Sequence, residues 1–264
     1  MAEPEELLDV AVHVVRAAAA LAARLRADGV GEISTKSTPT DVVTAADKAV
    51  EAQAVADLRR RRPDDAVLAE ETGGSSGSTA VRWILDPIDG TVNYLYGLPQ
   101  YAVSLAAEVG GRVVAGVVHN PATGTEWTAT RGGGAWRDGR RLAGSGVVDL
   151  GRALVGTGFG YDQARRAHQG RVVAGLLPKI RDIRRLGVAS IDLCLAAEGA
   201  LDAYYEKGLA PWDPAGGLVA EEAGLLVTGL DGAPPGPDLV LAAPPAIHAA
   251  LHDELRRLDA AGGP

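Results

Sequence analysis

The eleven residues Trp83-Ile84-Leu85-Asp86-Pro87-Ile88-Asp89-Gly90-Thr91-Val92-Asn93 constrain this chain more than any other stretch. An apolar run ends in Asp86. Pro87 lacks the N–H that a strand ladder needs, and Gly90 permits a tight turn, so the pattern predicts a strand broken at Pro87. Thr91 then opens a short helix. Two carboxylates thereby stand three residues apart at a strand end. The Ile88 carbonyl lies between them, and the unpaired N–H groups of a helix start lie just beyond.

Those parts suit phosphate-ester chemistry. Mg²⁺ takes oxygen ligands from a few carboxylates plus waters, and N–H groups at a helix start bind phosphate oxygens. Two such ions about 3.5–4 Å apart can clamp both oxygens of an in-line displacement. An Asx-type turn capping a helix explains the same residues without chemistry, and the segment alone leaves the two readings level. Other acids sit at similar places. The predicted strand Ala66–Ala69 ends in Glu70-Glu71, and Trp212-Asp213-Pro214-Ala215 sets one acid before a proline that fits a helix's first turn. Each has an ordinary explanation: a solvated loop for Glu70-Glu71, an N-cap for Asp213. Thr44-Ala45-Ala46-Asp47 reads as a capping box.

Charge and composition bound the partners. Lys and Arg total 26 against 34 Asp and Glu, a net charge of −8. That balance disfavours the nucleic-acid backbone, so no nucleic acid is expected. It is also at odds with an anionic substrate. With 47% hydrophobic and 23% charged residues the chain reads as globular. Cys194 alone excludes an internal disulfide framework and a Cys-based zinc site. The start Met-Ala-Glu-Pro-Glu-Glu is acidic where a signal peptide is basic. The apolar residues 17–23, bracketed by Arg16 and Arg24, are too short to span a bilayer. A cytoplasmic protein with no membrane contact is expected. His248 and His252, four residues apart, read as a solvated helix face rather than a metal pair.

Periodicity predicts helices over 4–27 and 45–61, then strands at 66–69 and 81–86 separated by a Gly/Ser loop at 73–78. A meander follows at 101–109, 112–119 and 125–131, then a further hairpin around Asp138-Gly139. Beyond residue 145 the pattern alternates: strand 153–157, helix 163–178, strand 181–185, helix 189–199, strand 201–206, helix 214–223, strands 225–228 and 238–242, helix 245–258. The expectation is an α+β lobe over 1–145, an antiparallel sheet with two helices, followed by an α/β lobe over 146–264, with a cleft between them.

Together these pieces resemble the inositol monophosphatase family, within the lithium-sensitive, magnesium-dependent phosphatase superfamily. The matching residues are the run Asp41-Val42-Val43-Thr44-Ala45-Ala46-Asp47, Glu70-Glu71, the Asp86-to-Asn93 segment, Gly187-Val188-Ala189 and Trp212-Asp213-Pro214-Ala215. The resemblance implies a layered αβαβα sandwich and a homodimer. It implies two to three Mg²⁺ ions: Glu70, Asp86 and the Ile88 carbonyl on the first, Asp86, Asp89 and Asp213 on the second, and Glu70 on a weaker third. Gly90 and Thr91 match the phosphate cradle. Thr91 and Asp47 match the pair that activates the attacking water, with Glu71 supporting them. Lys36, on the loop 34–38, matches a loop near the metals. Asp89, Gly187, Ala189 and Glu206 match positions that meet inositol hydroxyls. Val92 and Tyr94 stand where the family often has Thr and Phe, Val188 where a hydroxyl is usual, and Gly216 where Ala is common.

The implied reaction is hydrolysis of a small phosphate monoester, inositol 1-phosphate first, by a metal-activated water without a covalent phospho-enzyme. Histidinol phosphate, fructose 1,6-bisphosphate and 3′-phosphoadenosine 5′-phosphate are the rival substrates. A regulatory binding protein with vestigial phosphatase activity is the rival of another class.

Overall fold

A computed structural model describes residues 3–29, 33–35, 42–209 and 213–264, excluding the side chain of Val42. Lys36, Asp41 and Trp212 lie outside them. The chain opens with α1 (Pro4–Asp28), which starts at a proline in its first turn and turns Leu7, Ala11, Val14, Val15, Ala18 and Ala22 to one buried face. A small ribbon, β1 (Ile33–Thr35) paired antiparallel with β2 (Val42–Thr44), leads into α2 (Ala45–Arg61). The sequence reading did not anticipate this ribbon.

An eight-stranded sheet follows. It holds β3 (Ala66–Ala69), β4 (Gly73–Ser75), β5 (Val81–Asp89), β6 (Ala102–Val109), β7 (Arg112–Asn120), β8 (Thr125–Thr130), β9 (Gly134–Arg137) and β10 (Arg140–Arg141), in the order β10-β9-β8-β7-β6-β5-β3-β4. Its pairs are antiparallel except β3 with β5, which run parallel. Part of the stretch expected as a Gly/Ser loop is the edge strand β4. The short helix α3 (Thr91–Tyr96) sits between β5 and β6.

A second, five-stranded sheet takes the order β12-β11-β13-β15-β14, from β11 (Leu154–Thr157), β12 (Asp182–Arg184), β13 (Ala203–Glu206), β14 (Leu226–Thr228) and β15 (Val240–Ala243). It is mixed rather than uniformly parallel: β11 runs parallel to β12 and β13, while β15 is antiparallel to β13 and β14. The helices between and after these strands are α4 (Gln163–Leu176), α5 (Ala189–Glu198), α6 (Pro214–Glu222) and α7 (Pro245–Arg257).

Strand alternation explains the layering. Trp83 and Leu85 of β5 face the core shared with α1 and α2, while Ile84 faces the opposite core with α5 and α6. Tyr204 of β13 joins that same central core, and Ala203 and Tyr205 face a third core with α4 and α7. Both sheets are thus covered on both faces, giving the order helices, sheet, helices, sheet, helices. That double cover is why the strands read as apolar runs rather than as polar–apolar alternation. The central core joins residues from both sides of residue 145. Among the described residues no helix is long and apolar enough to cross a membrane.

Candidate active site

The site begins where β5 meets a proline. Pairing with β6 runs to Asp86 opposite Ser104, slips, and resumes at Asp89 opposite Ala102. Pro87, with no N–H to donate, falls inside that irregularity, so the strand survives the proline as a bulge instead of stopping at Asp86. Gly90 follows at φ +87° as the N-cap of α3. A side chain there would be strained twice over, because a Cβ would lie 2.6 Å from Val188 Cγ2.

Thr91 and Asp47 form the next tier. The Thr91 hydroxyl lies 3.1 Å from Asp47 Oδ1 and 3.1 Å from the Ile88 carbonyl oxygen. It carries one proton, so it donates to one acceptor at a time. Asp47 is fully buried at the third position of α2. Its Oδ2 accepts from the Thr44 backbone N–H at 2.8 Å and from the Thr44 hydroxyl at 2.5 Å. The capping box read from the sequence is present, and the same carboxylate also reaches Thr91. One turn along, the buried Glu51 accepts the Glu71 backbone N–H at 2.8 Å. The sequence reading missed Glu51; its position four residues after Asp47 on one helix face was the available signal.

The acids converge. Oxygens of Asp86, Asp89 and Asp213 all lie within 4.8 Å of one another. Asp86 is buried, and its Oδ1 has no hydrogen-bond partner. Burial, followed by the charges of Glu70, Asp89 and Asp213, pushes its carboxyl well above the ordinary range. Asp89 is also raised by burial, against the opposing pull of Ser190, whose N–H and hydroxyl donate to its Oδ2 at 2.8 and 2.5 Å. Asp213 occupies the N-cap position of α6, yet its side chain makes no cap hydrogen bond. Capping therefore does not account for it.

A cavity of about 590 Å³ gathers Glu70, Asp86, Ile88, Asp89, Gly90, Thr91, Gly187, Ala189, Glu206 and Asp213. Asp47 and Glu71 do not line it; Asp47 reaches it through Thr91. The first turns of α3, α5 and α6 all open onto the cavity at Thr91, Ala189 and Asp213, placing helix N-termini beside it. In its wall the Tyr204 hydroxyl donates to Glu206, and burial raises the Glu206 carboxyl to about 7. Phe159, Tyr161, Arg165 and Arg185 line the same cavity, with the Arg185 guanidinium 5.8 Å from the Phe159 ring centre. From the sequence, Arg165 and Arg185 read either as help for an anionic substrate or as solvated surface charges, with solvation the default.

The model of the inositol monophosphatase family matches residues 3–260. This chain belongs to that family. It is 45% identical to the Mycobacterium tuberculosis protein named inositol-1-monophosphatase SuhB, covering 85% of this chain and 84% of that one. It is 38% identical to the Escherichia coli protein named Nus factor SuhB, covering 86% of each. The solved extragenic suppressor protein suhB of Bartonella henselae superposes with a TM-score of 0.90 at 32% identity, covering 95% of this chain and 98% of that one. Inositol monophosphatases are phosphoric monoester hydrolases.

Departures from the family's usual residues have structural reasons. The Tyr94 hydroxyl donates to the Ala22 carbonyl at 3.0 Å, and its ring meets Tyr101 edge-on at 5.0 Å. Val188 is buried against Gly90. Gly216 lets α6 close on α5: a Cβ there would lie 2.8 Å from the Ser190 carbonyl oxygen, and Ser190 holds Asp89. His248 and His252 are not a solvated face. His248 Nε2 pairs with the Thr228 hydroxyl at 2.9 Å, and His252 Nε2 accepts from the Asp231 N–H at 3.1 Å.

The donor set fits a hard divalent cation. It is all oxygen, it crowds carboxylates into a site where they repel, and it leaves Asp86 Oδ1 buried without a partner.

Proposed function

We propose that this protein is a Mg²⁺-dependent inositol-1-monophosphatase, converting inositol 1-phosphate and water to inositol and phosphate. The observation that carries the reading is the Asp86–Asp89–Asp213 cluster in one cavity with the Thr91–Asp47 pair. In this reading Glu70, Asp86 and the Ile88 carbonyl hold one ion, Asp86, Asp89 and Asp213 a second, and Glu70 contributes to a weaker third. The Ile88 carbonyl has two lone pairs, so one stays open to an ion even when the Thr91 hydroxyl turns to it rather than to Asp47. Bound divalent ions neutralise phosphoryl charge and lower the pKa of a coordinated water.

The chain's own groups do the rest. The Thr91 hydroxyl takes a proton from the attacking water while passing its own to Asp47 Oδ1. Glu71, tied to Glu51, supports this pair. The Gly90 and Thr91 backbone cradles the phosphate, and the leaving alkoxide takes its proton from solvent. Among the described residues no His or Cys lines the cavity, in keeping with direct attack. Asp89, Gly187, Ala189 and Glu206 meet the inositol hydroxyls; a carboxylate at Glu206 accepts from a polyol while Tyr204 holds it in place.

The protein acts in the cytoplasm as a homodimer, with its N-terminal lobe over 1–145 and its C-terminal lobe over 146–264. The supporting experiment is a panel of phosphate esters, including histidinol phosphate, fructose 1,6-bisphosphate and 3′-phosphoadenosine 5′-phosphate. Mg²⁺-dependent, lithium-sensitive release from inositol 1-phosphate above the others is expected. No release from any ester would favour the regulatory binding role that the Escherichia coli relative's name suggests.

A further inference from the structure

Lys207 directly follows Glu206 at the end of β13, yet its ammonium points away from the cavity. Its Nζ donates to three consecutive carbonyl oxygens, Ala261 and Gly262 at 2.8 Å each and Gly263 at 3.0 Å. An ammonium has three protons, so the segment 259–264 saturates it with charge-assisted bonds. The same segment is fastened twice more. His168 Nε2 lies 2.8 Å from the Asp259 carbonyl oxygen, and Arg165 Nε donates to the Pro264 backbone oxygen at 3.1 Å.

Two of these three anchors, Arg165 and Lys207, connect to the cavity. Arg165 lines it, closely flanked by Gly160 and Gly208, where a Cβ would come within 2.7 Å of its Cδ and 2.9 Å of its Nη1 respectively. The Lys207 carbonyl accepts from Gln169 Nε2 at 3.4 Å, and Gln169 Oε1 accepts from the Gly160 N–H at 3.0 Å. Gln169 is buried, so this bridge ties the strand end bearing Glu206 to the cavity segment 158–162.

We propose that residues 259–264 are a strap that, through Lys207, positions Arg165 as a specificity-determining cation for the oxygen-rich alcohol half of the substrate. The inference rests on the phosphatase reading above. Lys207 is a positioning residue: its ammonium acts on substrate only through the strap and Arg165. The strap has a reason to exist in this cavity. Its wall carries Glu70, Asp86, Asp89, Glu206 and Asp213, and among the described residues its cations are Arg165 and Arg185. A long, flexible arginine loses side-chain entropy when fixed, and pre-fixing it removes that cost from binding.

The test compares two esters under saturating Mg²⁺: inositol 1-phosphate, and p-nitrophenyl phosphate, whose alcohol half offers few oxygens. Lys207→Met should raise KM for inositol 1-phosphate about tenfold, the loss of one charge-assisted hydrogen bond's worth of positioning, and change kcat by less than about twofold. KM for p-nitrophenyl phosphate should hold. Lys207→Arg should restore most of the loss. The double variant Lys207→Met with Arg165→Gln should bind no worse than Arg165→Gln alone, because both remove one function. Equal KM rises on both esters, additive losses in the double variant, or a lowered Tm with KM unchanged would each overturn the strap. If the unmutated protein hydrolyses neither ester, the phosphatase reading itself fails and the strap falls with it.

Discussion

The Thr91 hydroxyl lies 3.1 Å from Asp47 Oδ1, while the other oxygen of that carboxylate closes the capping box of α2 on Thr44. One side chain therefore serves both the helix and the cavity. The two tasks separate by mutation. Asp47→Asn should lose about 10²–10⁴-fold in kcat, as expected for removing a proton acceptor. Thr44→Ala should lose about 1 kcal/mol of stability with a much smaller effect on turnover. Steady-state kinetics and denaturant melts of both variants check this; equal kcat losses would show that Asp47 matters only through the cap.

Asp89→Asn and Asp213→Asn each remove one charge from the cluster. Turnover should vanish with the fold retained, read by circular dichroism and Mg²⁺ titration. Near-normal turnover of either at saturating Mg²⁺ would sink the assignment. The same cluster settles the tension between a net charge of −8 and an anionic substrate, because the relevant charge is local. Without divalent metal the acids repel phosphate, so calorimetry in chelator should show scarcely any substrate binding.

Glu206 titrates in a useful range. Its carboxyl is raised to about 7 by burial, against the Tyr204 hydrogen bond and the Arg185 charge. Above that pH it is ionised and accepts hydrogen bonds from hydroxyls; below it, one oxygen carries a proton. KM for inositol 1-phosphate should therefore rise as pH falls through about 7. Glu206→Gln should have a higher KM above that pH and lose this limb, leaving only the titration of the substrate phosphate itself. An unchanged KM–pH profile in Glu206→Gln would remove Glu206 from substrate contact.

Asp192 on α5 is buried with neither carboxylate oxygen hydrogen-bonded, and burial, then Glu206 and Asp89, push its carboxyl well above its ordinary value. A raised folded-state value means the native protein keeps a proton that the unfolded chain releases. The contribution to stability is full below the unfolded value and is lost as pH rises toward the folded one, by at most about 1.4 kcal/mol per pH unit. Asp192→Asn should flatten that slope and raise Tm at pH 8 relative to the unmutated protein. A parallel slope in thermal melts from pH 5 to 8 would contradict this.

Much of the site was legible because its residues are consecutive. Asp86, Pro87, Asp89, Gly90 and Thr91 form one strand-bulge-helix unit whose chemistry each residue type announces, and Thr44 with Asp47 writes a capping box in four letters. The bulge was not legible. A proline in a strand pattern argues for a break, and only pairing with β6 on both sides carries the strand through to Asp89. The β1–β2 ribbon and edge strand β4 were missed because three-residue strands have too little pattern to show. Glu51 and Ser190 were missed for another reason: their roles depend on partners 20 and 101 residues away.

The sequence by itself determined the local units: the amphipathic face of α1, the capped start of α2, the oxygen-rich turn after β5, and the proline that starts α6 at Asp213. Each follows from spacing and backbone chemistry within a few residues. Tertiary structure alone decided that Asp213 joins Asp86 and Asp89, that Asp47 reaches Thr91, and that the segment 259–264 fastens Lys207 and Arg165. Those meetings depend on α6 packing in the core shared by the two sheets, on α2 packing against the first sheet, and on residue 260 packing in the third core, which fix distances between residues that no local preference relates.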